Sequence, residues 1–196
     1  TGPWSQMAGH DINYISMTGV LNAIGKAGQP PVPPLNMVGD FGGGTMFLVT
    51  GILAALVERA TTGKGNIVDA AIIDGTHSLM SFVHGMAGLG QWRTDREANL
   101  LDGAAPFYRC YGTSDGKFVA VGCIEPQFFA AMMERLPIDK EAYGGQHDQS
   151  KWAQQHKMLE DVFVSKTRDD WEATFALTDA CVTPVLDYVE AASHPA

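Results

Sequence analysis

The chain lacks the features that mark several common functions. No run of Lys and Arg exceeds two residues, and 13 Lys+Arg stand against 22 Asp+Glu, which gives a formal net charge of −9. Because nucleic acids are bound by clustered basic side chains, we expect no nucleic-acid partner. By inspection of the sequence, no apolar stretch approaches about 18 residues, so we expect no membrane span. No signal peptide is expected either.

Cysteine is scarce. The three cysteines, Cys110, Cys123 and Cys181, lie too far apart for a CxxC metal clip. Their odd number and their scatter predict reduced thiols in a cytosolic protein, and we expect no metal site.

The ends of the chain predict an internal piece of a longer protein. Residues 1–3 carry no initiator methionine, and residues 193–196 do not resemble a capped helix end. A chain of 196 residues can nevertheless bury roughly 70% of its unfolded surface, which is enough for a core in one or two domains.

The first part of the chain is mainly helical in its pattern. The predicted elements are a helix over residues 15–24, a proline-rich loop over 28–34, a helix over 45–59, a short buried strand over 66–70 and a helix over 71–89. We expect Asp40 to stand at the N-cap of the second helix, which is apolar enough to be buried, and Gly63 to end it.

The second part changes character. Residues 107–111 and 117–121 are rich in β-formers and flank an Asp-Gly turn, which predicts a β-hairpin. Helices are expected over residues 126–136, 150–166 and 169–178. The predicted architecture is α/β, with residues 1–91 as part of a large domain, 92–106 as a linker and 107–196 as a smaller α+β domain.

Two short segments carry the chemistry, Ala-Gly-His-Asp-Ile-Asn-Tyr over residues 8–14 and Gly-Asp-Phe-Gly-Gly-Gly over 39–44. Each places a proton-carrying side chain, His10 or Asp40, beside glycine, where a ligand can approach the backbone closely. A histidine and a carboxylate held together can move a proton from one face of a carbon to the other. The plainer alternatives are a surface or cap role for His10 and a helix cap for Asp40.

Glu125 and a histidine pair are weaker candidates. Glu125 precedes Pro126, which suits the first position of a helix, so compensation of the helix dipole is its simpler role. It could instead orient a histidine, as a carboxylate does in hydrolytic triads. His77 and His84 share a helix face, but without a third ligand packing is the favoured interpretation over metal binding.

Taken in order, AGHDINY, the proline-rich loop, NMVGDFGGG, GKG-x-x-VDAA, LLDGAAPFY, SDGKFVAVG and IEPQF resemble the alpha-methylacyl-CoA racemases of the class III CoA-transferase (CaiB/BaiF) superfamily. The resemblance is most specific between Gly2 and Gln127 and thins beyond Pro137. It implies the later part of a Rossmann-like large domain, a connecting helix and a small α+β domain, in an interlocked homodimer.

The resemblance also implies an activity, the interconversion of the R and S forms of 2-methyl-branched acyl-CoA thioesters. CoA is then part of the substrate, and no cofactor is needed. The histidine base falls on His10, the aspartate acid/base on Asp40 and the glutamate that partners the histidine on Glu125. The residues expected to line the thioester pocket are Gly9, Asp11, Ile12, Asn13 and Tyr14. The expected location is cytoplasmic in a bacterium and peroxisomal or mitochondrial in a eukaryote.

Two alternatives remain open. In a class III CoA-transferase the Asp40 position would attack the thioester and form an acyl anhydride, chemistry that needs no second base at His10. The chain could also be an inactive fragment, because the family's N-terminal half supplies most contacts to the CoA nucleotide. Tight binding of a CoA thioester by the chain alone would exclude this second alternative.

Overall fold

The computed structural model describes residues 2–196, which form two compact units. One unit ends at Arg96, and the other comprises Glu97–Ala196. Strands occur only in the second unit among the described residues, so the chain as a whole is a mixture of helix and sheet.

The first unit is built from helices. Its elements are α1 (Asp11–Ser16), α2 (Val20–Ala23), a π-helix (Met37–Met46), α3 (Phe47–Thr62), α4 (Ile72–Leu79) and α5 (Ser81–Gly88). The helix predicted over residues 15–24 is thus replaced by two short ones, and the helix predicted over 71–89 is present but breaks at Met80. The buried side chains of Ile15 in α1, Val20 in α2 and Met80 between α4 and α5 form a small hydrophobic cluster.

The prediction that Asp40 caps a helix is wrong. The helical backbone begins three residues earlier, at Met37, and Asn36 occupies the N-cap position with φ 60°. Asp40 therefore lies in the first turn of a π-helix that continues without a break into α3. The end of α3 is as predicted, because Gly63 adopts φ 70° and terminates it.

The continuous helix Met37–Thr62 differs from two expectations, that its apolar part is buried and that no segment is long and apolar enough to span a membrane. None of the residues of α3 is buried, although the sequence predicts a buried helix. The helix has 26 residues, a window of mean hydropathy 1.6 and only 11% of that window buried, so by length and composition alone it could cross a membrane. The core helix of a soluble protein meets the same criteria when it is mostly buried.

The strand predicted over residues 66–70 is absent, since the described residues 64–71 contain no helix or strand. Ile67 in this segment is 92% exposed. A strand requires a hydrogen-bonded neighbour, and no described strand lies beside this one.

The second unit is built around a three-stranded antiparallel sheet. Its strands are β1 (Tyr108–Gly112), β2 (Phe118–Gly122) and β3 (Val182–Pro184), paired in the order β1-β2-β3. Its helices are α6 (Pro126–Met133), α7 (Lys140–Tyr143), α8 (Trp152–Phe163), α9 (Arg168–Phe175) and α10 (Tyr188–Ser193). The predicted hairpin is confirmed, with Gly116 at φ 75° in the turn. The hydrophobic core of the second unit includes Phe107, Tyr111, Leu159, Phe163 and Trp171.

Candidate functional site

The start of α1 holds His10 in a defined backbone conformation. His10 occupies the N-cap position with an extended backbone, and its N–H donates to Asn13 Oδ1 at 3.0 Å. The Tyr14 hydroxyl donates to the Gly9 carbonyl at 3.0 Å, which ties the preceding residue to the same helix. The His10 side chain itself is exposed. Asn13 and Tyr14 therefore support the segment that carries the histidine.

Asp11 connects this segment to the segment that carries Asp40. Its side chain is only 3% exposed, and Oδ2 accepts a hydrogen bond from the main-chain N–H of Asp40 at 2.8 Å. The two residues are 29 positions apart in the chain. Since His10 is the neighbour of Asp11, the structure brings the backbone of both proposed proton-transfer residues to one place in the first unit.

The side chain and the carbonyl of Asp40 each accept a further hydrogen bond. Asn36 Nδ2 donates to Asp40 Oδ2 at 2.9 Å, and Thr45 Oγ1 donates to the Asp40 carbonyl at 2.9 Å. The left-handed backbone of Asn36 directs the chain into the π-helix, a form that occurs frequently at functional sites. Sequence reasoning missed Asn36, although its spacing of four residues from Asp40 is that of neighbours on a helix.

The glycines around Asp40 have structural partners. A Cβ on Gly39 would overlap Asp11 Oδ2, and a Cβ on Gly43 would overlap Thr76 Oγ1. On Gly44 it would lie 3.1 Å from Ile72 Cγ1. The expectation that something must approach the backbone here is correct, but at these three positions the approaching groups belong to α1 and α4.

A cavity of about 430 Å³ opens beside the start of α1. Its lining includes Gly9, Asn13 and Tyr14, three of the five residues expected at a thioester pocket. The apolar side chains of Trp4, Met7, Ala8, Met17 and Ile73 make up much of the remaining wall. The other two, Asp11 and Ile12, do not line this cavity. Ile12 is instead 41% exposed. A cavity of this size and composition suits a small, largely apolar ligand group.

Glu125 belongs to the second unit. It is exposed and stands at the N-cap of α6, with Pro126 in the first helical turn as the sequence predicts. Its side chain makes no capping hydrogen bond to that helix. Its role as the partner of His10 stays a prediction.

Potential metal ligands do not cluster in the part of the chain that the structure describes. No group of three or more His, Cys, Asp or Glu side chains there could hold an ion. The rings of His77 and His84 lie 6.0 Å apart between centroids, which is a packing contact. The three cysteines are free thiols, as predicted.

Comparison with known proteins identifies relatives over the full chain. Residues 1–196 match the model of CoA-transferase family III. The chain is 45% identical over 194 residues to the alpha-methylacyl-CoA racemase of Mus musculus, covering 99% of this chain and 51% of that protein. The corresponding identity to the human alpha-methylacyl-CoA racemase is 43%, again with 99% and 51% covered. The chain thus spans about half the length of these relatives.

More distant relatives share the fold or part of the sequence. The human succinyl-CoA:glutarate CoA-transferase is 28% identical over 151 residues, 75% of this chain and 34% of that protein. The crystal structure of a CAIB/BAIF family protein from Brucella suis superposes with a TM-score of 0.75 at 22% identity, covering 100% of this chain and 52% of the other. This likeness places the described chain in the fold of those proteins.

Proposed function

The chain belongs to CoA-transferase family III, and from that premise we propose that the protein containing it racemises 2-methyl-branched acyl-CoA thioesters by 1,1-proton transfer. Identities of 45% and 43% to two racemases, against 28% to a succinyl-CoA:glutarate CoA-transferase, favour the racemase over the transferase. The observation that carries the proposal is the hydrogen bond between Asp11 and Asp40, which joins the two proton-carrying segments.

The proposed reaction uses His10 and Asp40 on opposite faces of the α-carbon. One group takes the α-proton, the electron pair of the C–H bond passes into the thioester to form an enolate, and the other group returns a proton to the opposite face. No net proton is consumed, and the two enantiomers exchange the roles of acid and base. General acid–base groups of this kind contribute about 10²- to 10⁴-fold each.

The enolate oxygen requires a hydrogen-bond donor, since the α-hydrogen of a thioester is only weakly acidic. The main-chain N–H of Asp11 is the proposed donor, because it lies in the first turn of α1 directly after His10. A single donor aimed at a developing oxyanion is typically worth about 3 to 4 kcal/mol.

The cavity beside α1 is the proposed place for the apolar part of the acyl group. Its wall combines Trp4, Met7 and Met17 with the backbone of Gly9, next to His10. Glu125 is proposed to orient His10 and to stabilise its charged form, from the same subunit or from the partner in a homodimer. CoA is part of the substrate, and no further cofactor is proposed.

The test is exchange of the α-hydrogen in deuterated water, starting from each pure enantiomer, with the protein at the full length of its relatives. His10→Ala and Asp40→Asn should each reduce racemisation by about 10²- to 10⁴-fold. The exposed His77 and Asp161 provide matched controls, His77→Ala and Asp161→Asn, which should leave the rate unchanged. Normal exchange from both enantiomers by His10→Ala would contradict the proposal, and transfer of CoA to a free carboxylate acceptor would favour the transferase.

A further inference from the structure

The carboxylate of Asp11 has a role that its exposed neighbours do not suggest. Asp11 lies between His10 and Ile12, which are both exposed, yet Asp11 itself is only 3% exposed. A buried carboxylate is costly unless it is hydrogen-bonded, so its presence needs a specific partner. That partner is the main-chain N–H of Asp40, 2.8 Å from Oδ2.

The surrounding residues are shaped to admit this hydrogen bond. Gly39, directly before Asp40, is buried, and a Cβ there would overlap Asp11 Oδ2 and lie 2.7 Å from Ile15 Cγ2. The carboxylate therefore occupies the space that a side chain at position 39 would fill. A hydrogen bond from a backbone N–H to an ionised carboxylate is roughly twice as strong as a neutral one.

We propose that Asp11 is a positioning residue whose carboxylate fixes the main chain of Asp40 at a set separation from His10. The inference rests on the proposed racemase function. The Asp11 side chain is buried against the π-helix, so this side chain acts through Asp40 and not by contact with substrate. Misplacement of a reacting group by about 1 Å can cost 10²-fold in rate, so a shifted Asp40 should lower kcat more than it changes KM.

A two-base racemase offers a signature that general damage to the fold does not produce. Each base removes the α-hydrogen from one enantiomer only. Loss of Asp40 should abolish exchange from the enantiomer that Asp40 deprotonates, while His10 still exchanges the hydrogen of the other. A residue that positions Asp40 should therefore change the ratio of the two exchange rates in the same direction as Asp40→Asn.

The experiment measures exchange from each enantiomer by mass spectrometry in deuterated water, with kcat and KM, on the full-length protein. Asp11→Ala should lower exchange from the Asp40-dependent enantiomer by about 10- to 100-fold and lower the other less. Asp11→Asn keeps an acceptor oxygen of the same shape and should show a smaller shift in the same direction. Gly39→Ala attacks the same contact from the other side and should repeat the pattern, whereas Asp161→Asn should not.

The outcomes separate this inference from the function on which it rests. If the unaltered protein exchanges neither enantiomer, the proposed function is wrong. If it exchanges both and Asp11→Ala keeps the same ratio, or reduces both rates equally with a raised KM, the positioning role is wrong while the function stands. Where Asp11→Ala does not fold by circular dichroism, the ratio measured for Asp11→Asn decides in the same way.

Discussion

Gly75 of α4 lies directly against the main-chain carbonyl of Gly43 in the π-helix, because a Cβ on Gly75 would overlap that oxygen. It would also lie 2.9 Å from Phe47 Cδ2. In the opposite direction, a Cβ on Gly43 would lie 2.8 Å from the main-chain nitrogen of Thr76. The two helices touch backbone to backbone, and this contact supports the helix that carries Asp40.

Gly75→Ala should therefore destabilise the chain. The added methyl group meets main-chain atoms, which cannot rotate away, so α4 and the π-helix must separate. Overpacking of this kind costs about 1–3 kcal/mol, and more where the backbone cannot move. The measurement is the free energy of unfolding from urea titration.

Gly85→Ala is the matched control within the neighbouring helix α5. A Cβ there meets no atom within 4 Å. Because alanine is the better helix former, Gly85→Ala should raise the free energy of unfolding by about 0.5–1 kcal/mol. Equal stabilities for the two variants would contradict the backbone contact between Gly43 and Gly75.

Local sequence patterns were sufficient to predict those parts of the structure that depend only on residues close together in the chain. The β-hairpin follows from β-formers on either side of an Asp-Gly pair, with Gly116 supplying the positive φ. The C-terminal end of α3 follows from Gly63, and the start of α6 from Pro126. Each of these signals operates over a few residues.

Several of the incorrect predictions concern contacts that are distant in sequence. The segment over residues 66–70 has the composition of a strand, but composition cannot show whether a neighbouring strand is present. The glycines after Asp40 correctly indicated a close approach to the backbone, yet the sequence could not distinguish α4 from a ligand. The hydrogen bond from Asp40 to Asp11 spans 29 positions and has no local signature.

The three thiols should differ sharply in reactivity. Cys123 is fully buried, and burial raises the pKa of its thiol to about 12, so the reactive thiolate is scarce at neutral pH. Cys110 and Cys181 are exposed. We expect Ellman's reagent to titrate two thiols rapidly in the folded chain and the third only after unfolding. Cys123→Ala should remove the slow thiol, and rapid reaction of all three would contradict the burial of Cys123.

The second unit should lose stability in acid through Glu190. Arg168 donates to this carboxylate at 2.6 and 3.0 Å and Lys117 at 2.8 Å, and these bonds, those from Arg168 above all, hold the pKa of Glu190 well below its ordinary value of 4.5. A carboxyl whose pKa is lowered by folding contributes stability that is complete above its unfolded pKa. This contribution is lost as the pH falls below about 4.5.

Glu190→Gln should reduce the free energy of unfolding at pH 7 and flatten its decline between about pH 5 and pH 3. The measurement is a series of urea titrations across this range. Glu134→Gln, at an exposed position after α6, is the control and should keep the acid dependence of the unaltered chain. An unchanged acid dependence in Glu190→Gln would show that the bonds from Arg168 do not determine it.

Asn36 provides a direct test of Asp40 as a proton-transfer group. Asn36→Asp replaces the amide that donates to Asp40 Oδ2 at 2.9 Å with a second carboxylate, and aspartate tolerates the φ of 60° found there. Two carboxylates this close cannot both ionise easily, so the pair should hold a proton to higher pH than a single carboxylate would. The acid limb of the pH–rate profile should then move to higher pH by about one unit or more, for the enantiomer that Asp40 deprotonates. Asn66→Asp, which places a carboxylate beside the exposed Glu58 outside the site, should leave the profile unchanged. If Asn36→Asp also leaves it unchanged, Asp40 is not the group whose ionisation limits the reaction.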